Sequence, residues 1–204
     1  MINFSYLALG DSYSIGEQVL PAENFPNQTV TLLNKANGSR HFAEPEIIAK
    51  TGWTTDELDA AIDEAGILKQ YDIVSLLIGV NNQYRSRPLK NFKIEFEHLL
   101  QRAIQFANNK PNHVFVLSIP DWSVTPFAAG RDSKTIAGEI DAYNNICERS
   151  AAAFKTHFIN ITVSQRADSN KPGFVAPDGL HPSGQEYKKW AAKLSDVILK
   201  EFKK

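Results

Sequence analysis

The chain is poor in cysteine. Cys147 is the only one in 204 residues, which excludes an intrachain disulfide and leaves the redox compartment open. No apolar run approaches the ~20 residues needed to span a bilayer. Neither sign of charge dominates: 22 Lys and Arg stand against 23 Asp and Glu, without the basic stripe that tracks nucleic acid. No Gly-x-x-x-x-Gly-Lys-Ser/Thr or Gly-x-Gly-x-x-Gly occurs, which argues against nucleotide binding. No His-Glu-x-x-His and no cysteine cluster suggests zinc, so neither metal nor cofactor is expected. The Gly-x-Ser-x-Gly elbow is missing as well. No repeat, low-complexity tract or Gly/Ser/Pro-rich linker divides the chain, so residues 1–204 read as one domain. The N-terminal "MINFSYLALGDS" lacks the basic and long apolar segments of a signal peptide. The expectation is a cytoplasmic protein, with a trimmed export leader as the alternative.

What is present is the composition of an ordinary globule, 43% hydrophobic and 22% charged. Strand-length apolar runs appear at Phe4–Leu9, Glu46–Ala49, Ile73–Ile78, Val114–Ile119 and Phe158–Ile161. The third and fourth are almost continuously apolar, as parallel strands buried on both faces should be. Helix-period stripes lie between them. Leu58, Ala61, Ile62 and Ala65 follow a Thr54-x-x-Glu57 capping-box pattern. Phe92, Phe96, Leu99, Leu100 and Ala103 form a second stripe. Ile136, Ile140, Tyr143, Cys147, Ala151 and Phe154 form a third, which makes Cys147 a core residue. Tyr187, Trp190, Ala191, Leu194, Val197 and Ile198 form the last, ending in Lys200, Lys203 and Lys204 where the helix dipole is negative. Alternation of this kind predicts βαβ units and a parallel sheet with helices on both faces.

In such a sheet, chemistry belongs on loops at the carboxyl ends of strands. The stretch "YLALGDSYSIGE" puts Ser12 there, either as a cap for the next turn or as a nucleophile. The second role needs a base, a group to orient it and oxyanion donors. "APDGLHPSG" supplies Asp178 and His181, three residues apart in a turn that can fold the carboxylate onto the imidazole. Gly52 and the group Gly79-Val80-Asn81-Asn82 follow two other strands.

These blocks carry a resemblance. Gly10-Asp11-Ser12-Tyr13, Gly52, Gly79-Val80-Asn81-Asn82 and Asp178-Gly179-Leu180-His181 resemble, in order, the blocks of the GDSL-type esterases and lipases, or SGNH hydrolases. The resemblance implies an α/β fold, a three-layer α/β/α sandwich around a parallel sheet of about five strands, flavodoxin-like. It implies Ser12 as nucleophile, His181 as base and then acid, and Asp178 as the orienting carboxylate. The implied oxyanion hole is the N–H of Ser12, the N–H of Gly52 and the amide of Asn81. Two positions depart from the common pattern: Tyr13 replaces leucine, and Asn82 replaces an aspartate that braces its loop.

Other residues are read from position. Asp11 anchors the nucleophile's loop. Trp53, Tyr84 and Trp122 follow three different strands and either line a pocket above Ser12 or pack in the core or at its rim. His41, His98, His113 and His157 are expected at surfaces or helix ends, and Arg85 and Arg87 in a solvated loop, with contact to an anionic substrate as the alternative. The expected function is hydrolysis of short acyl or acetyl esters of a small soluble or carbohydrate substrate through an acyl-enzyme. The alternatives are a lysophospholipase or thioesterase acting on longer chains, and a non-catalytic carbohydrate-binding relative. The expected partner is a small-molecule ester, with no nucleic acid and no membrane span.

Overall fold

The computed structural model describes residues 2–36, 40–169 and 171–202. The sequence pattern expects one strand over Phe4–Leu9, but the chain changes partners at Ser5. There the Asp72 carboxylate accepts the Ser5 backbone N–H at 2.8 Å and its hydroxyl at 3.0 Å. The run is thereby split into β1 (Ile2–Phe4) and β2 (Tyr6–Gly10). β1 pairs in parallel with β3 (Arg40–Phe42), where Phe4 stacks on Phe42 at 5.0 Å.

β2 enters the main sheet, whose five strands among the described residues are all parallel. Their spatial order is β4 (Glu46–Ala49), β2, β5 (Ile73–Leu77), β6 (Val114–Leu117) and β7 (His157–Ile159). Every residue of β2, β5 and β6 is buried, the signature of strands covered on both faces.

Helices supply the cover. After β2 come the single turn α1 (Ser12–Ile15) and α2 (Phe25–Ala36). α3 (Thr55–Ala65) joins β4 to β5; α4 (Val80–Tyr84) and α5 (Leu89–Phe106) join β5 to β6. α6 (Ser133–Phe154) leads to β7, and α7 (Thr162–Asp168) and α8 (Gly184–Glu201) close the chain. α2 packs on α8, and α5 packs on both α3 and α6. Right-handed crossovers put those two groups on opposite faces, which completes the α/β/α sandwich.

Each stripe read from sequence turns its centre inward: Leu58 and Ile62, Phe92 to Ala103, Ile136 to Ala151, and Tyr187 to Ile198. Ala61, Phe154 and Val197 are only half-buried and Ala65 is exposed, because each lies at a stripe's edge or end. The capping box forms, with Glu57 accepting the Thr54 N–H at 2.8 Å, a motif that stabilises a helix end by ~1 kcal/mol. Lys200 sits in the last turn of α8, while Lys203 and Lys204 lie outside the described residues.

The strand order has a functional consequence. From β2 the chain moves first to one side, to β4, and then to the other, to β5. Loops leaving β2 and β5 therefore diverge, and a crevice opens at the carboxyl ends of those strands.

Candidate active site

Ser12 opens α1 directly beyond β2, with its residue almost wholly buried at 4% exposure. Asp11 caps that turn, its Oδ1 accepting the Tyr13 N–H at 3.0 Å. Its other oxygen, Oδ2, is buried without a partner among the described residues. Burial pushes the Asp11 carboxyl up to about 7, even though the Tyr13 N–H pulls the other way. Asp11 therefore anchors the turn as expected, and does so as a group that resists ionisation.

His181 comes from the loop before α8. Its Nδ1 meets Asp178 Oδ2 at 2.5 Å. The other Asp178 oxygen accepts the N–H groups of Leu180 and His181, both at 3.0 Å, so the carboxylate folds back on its own turn. Burial would raise the Asp178 pKa, but the His181 imidazole and these two N–H groups outweigh it and hold the carboxyl below its ordinary value. Because a carboxylate only accepts, the neutral tautomer that fits this bond carries its proton on Nδ1 and its lone pair on Nε2, which has no partner among the described residues. The loop is tied at both ends: Ala176 N–H donates to the His181 carbonyl at 2.7 Å and Phe127 N–H to the Gly179 carbonyl at 3.0 Å. Tyr13, in place of the commoner leucine, sets its ring edge against the imidazole at 5.8 Å.

Ser12, His181, Gly52 and Asn81 all line one cavity of about 210 Å³. The Ser12 hydroxyl makes no hydrogen bond among the described residues. Gly52 has φ +88°, a conformation that glycine adopts without a Cβ penalty, and Gly79 has φ +129°. A Cβ on Gly79 would also strike Ile119 and Phe92, at 2.7 and 2.8 Å, so close packing fixes the turn that presents Asn81.

The loop carrying Gly52 is held residue by residue. Arg85 donates to the Gly52 carbonyl at 2.7 Å, and Asn81 Nδ2 donates to the Trp53 carbonyl at 2.9 Å. Glu57 takes the Thr54 N–H, and Asn82 Oδ1 takes the Thr55 N–H at 3.1 Å. Asn82 is fully buried and also donates to the Thr55 hydroxyl at 2.7 Å, so the bracing role of this position survives the loss of the usual aspartate. One amide hydrogen of Asn81 is engaged with Trp53, and the other remains for the cavity.

Of the three aromatics read as either pocket lining or core and rim packing, Tyr84 and Trp122 line the cavity and Trp53 does not. The Trp53 side chain packs half-buried on the core instead, while its backbone serves Asn81. Phe127 takes a place in the wall, from a short turn over Pro126–Ala128, with Thr51, Val80 and Leu180. Tyr84, Trp122 and Phe127 contact one another at centroid separations of 5.5 to 6.5 Å. The Arg131 guanidinium stacks on all three at 4.9 to 5.5 Å. Trp122 is fixed further by its indole N–H, which donates to Gln83 at 2.8 Å. Nothing in the spacing around Phe127 distinguishes it from an ordinary turn residue.

The remaining candidates lie elsewhere. His41 and His98 are exposed, and His113 ends a short turn over Pro111–His113. His157 departs from expectation: it sits half-buried in β7, stacked on Phe115 at 4.9 Å and paired with Glu201 at 3.2 Å. Arg85 and Arg87 are engaged, with Glu57 and Asp56 respectively. Cys147 is buried, and burial pushes its thiol well above the ordinary value. Among the described residues no group of three or more His, Cys, Asp or Glu could hold a metal ion, and no helix is long and apolar enough to cross a membrane.

Among the described residues the fold is an α/β/α sandwich around a five-stranded parallel sheet. The pattern of the GDSL-like lipase/acylhydrolase family matches residues 8–189, and the chain belongs to that family. Among curated proteins no sequence matches it. Solved structures do. A G-D-S-L lipolytic protein from Veillonella parvula superposes with a TM-score of 0.71 at 16% identity, covering 98% of this chain and 99% of that one. The acetylxylan esterase Axe2 from Geobacillus stearothermophilus gives 0.72 at 17% identity, over 97% and 93%. The psychrotrophic esterase EstA from Pseudoalteromonas sp. gives 0.69 at 14% identity, over 98% and 99%. At such identities the likeness is one of fold.

Proposed function

We propose that the protein is a metal-independent serine esterase of short acyl or acetyl esters, with Ser12, His181 and Asp178 as its triad. The observation that carries this reading is His181, held through Nδ1 by Asp178, lining the same cavity as Ser12, Gly52 and Asn81. In the proposed reaction His181 Nε2 takes the Ser12 proton as Oγ attacks the ester carbonyl. Asp178 holds the imidazole's orientation and stabilises the imidazolium. The carbonyl oxygen gains its negative charge facing the N–H groups of Ser12 and Gly52 and the free amide hydrogen of Asn81. His181 then returns the proton to the leaving alkoxide, and water repeats the sequence to release the acid from Ser12.

Size supports a small acyl group. About 210 Å³ falls below the ~300–1,000 Å³ typical of pockets for drug-sized ligands. Aromatic walls suit an acetylated sugar or aryl alcohol, and one structural neighbour is an acetylxylan esterase. A second reading, cleavage of longer acyl chains, draws on the exposure of Tyr84 and Phe127, 48% and 38%, which extends an apolar surface outward. A panel of p-nitrophenyl acetate, butyrate, octanoate and palmitate, run beside acetylated sugars, separates the two. kcat/KM is expected to be highest for acetate or butyrate and to fall steeply by octanoate. A rate that holds or rises to palmitate would favour the longer-chain reading.

A further inference from the structure

We propose that Arg85 is a positioning residue of the oxyanion hole, acting through the Gly52 loop. The inference rests on the assignment of the Gly52 N–H and the Asn81 amide as oxyanion donors.

Arg85 is the C-cap of α4, four residues beyond Asn81. Its Nη2 donates to the Gly52 carbonyl at 2.7 Å, and its Nη1 lies 3.3 Å from both carboxylate oxygens of Glu57. Glu57 in turn holds the Thr54 N–H. Three side chains from α4 and its cap, Asn81, Asn82 and Arg85, thus grip the backbone of Trp53, Thr55 and Gly52. One oxyanion donor belongs to the gripping turn and the other to the gripped loop. The two are locked into one body, and their separation is set by the bonds between them.

Gly52 is where that lock matters most. Glycine at φ +88° has no side chain to fix it, and the peptide planes on either side rotate more freely than at any other residue. The Gly52 carbonyl shares its peptide plane with the Trp53 N–H, which donates to the Lys50 carbonyl at 3.2 Å. Arg85 is the side chain that grips this plane from its other edge, narrowing the rotations left to the Gly52 N–H. An arginine suits the task because its planar fork reaches a carbonyl and a carboxylate at once, which a lysine ammonium at the end of a flexible stem does not. The guanidinium and Glu57 are both exposed, so solvent screens their pairing and it adds little stability. Its contribution falls on geometry.

The test compares wild type, Arg85→Ala, Arg85→Lys and Asn81→Ala on p-nitrophenyl acetate, with a thermal melt of each. Asn81→Ala removes a donor outright and should lower kcat ~10²–10³-fold. Arg85→Ala misaims a donor without removing it, and should lower kcat about ten-fold with KM nearly unchanged and the melt barely shifted. Arg85→Lys should recover part of the loss, and guanidinium ion added to Arg85→Ala should do the same. If Asn81→Ala loses kcat while Arg85→Ala keeps it, the clamp is wrong and the oxyanion hole stands. A rise in KM alone in Arg85→Ala would make Arg85 a substrate contact and overturn the proposal. If neither variant loses kcat, the oxyanion assignment itself fails.

Discussion

Asp11 illustrates how a single residue beside the proposed nucleophile can be structural and still leave a measurable trace. Its carboxyl is fully buried, one oxygen is unpartnered among the described residues, and burial raises it to about 7. An unfolded aspartate ionises near 3.9, so the folded protein prefers the neutral acid over that interval. Stability from this group is complete below about pH 4 and is lost as pH rises towards 7, a difference on the order of 4 kcal/mol. Asp11→Asn keeps an oxygen for the Tyr13 N–H but cannot ionise. Its new amide donors carry a pH-independent penalty, so the slope is the test. Thermal melts from about pH 4 to 8 should show the variant gaining on wild type as pH rises and levelling off above 7. Wild type gaining on the variant instead would mean an ionised, paired Asp11. Much of the candidate site at this scale is legible because its chemistry demands particular residue types, and the family resemblance supplies their order. Ser12, Asp178 and His181 are singled out as candidates for that reason; Ser12 and His181 line one cavity, and Asp178 bonds His181 from behind. Trp53 could not be placed, because a loop residue's side-chain direction depends on partners far along the chain; here Asn81 claims its backbone and the core claims its ring.

Elements were readable in proportion to their periodicity. α5, α6 and α8 carry long regular stripes, and their faces are buried as the pattern predicts. α2 was not anticipated, because its Pro26, Asn27, Thr29, Thr31 and Asn34 are weak helix formers and two of its five buried positions, Pro26 and Thr29, break the apolar stripe. The cue lay at its start, where Asn24 Oδ1 accepts the Asn27 N–H at 2.9 Å and Pro26 fills the first turn. The split of the first strand at Ser5 depends on Asp72, which no local pattern announces. The bracing of α3 on α4 yields a prediction at this scale. Asn82 donates to the Thr55 hydroxyl, so that hydroxyl must pass its own proton to Glu95, with which it makes a short contact. Asn82→Asp restores the family's commoner residue but sets two carboxylates competing for one proton in a buried place. The variant should lose ~1–3 kcal/mol in urea unfolding at neutral pH. Adding Glu95→Gln should restore more than the single changes predict together. An Asn82→Asp protein as stable as wild type would contradict this proton chain.

At the scale of the whole molecule, fold and function meet at the reversal of strand order. Parallel strands had to be buried and helices had to cover both faces, and that much follows from the alternation of patterns. The order β4-β2-β5-β6-β7 does not follow from pattern alone, yet it opens the crevice beside β2 into which Ser12 is delivered. The proposed serine mechanism stands or falls on that residue. The most direct measurement is intact and peptide mass spectrometry after exposure to a fluorophosphonate, on wild type and Ser12→Ala, each with and without prior EDTA. One adduct is expected, on the peptide containing Ser12, unchanged by chelation and absent from the variant, whose kcat should fall roughly 10⁴- to 10⁶-fold. An adduct on another residue, or activity that survives in Ser12→Ala or disappears with EDTA and returns with a divalent cation, would contradict it.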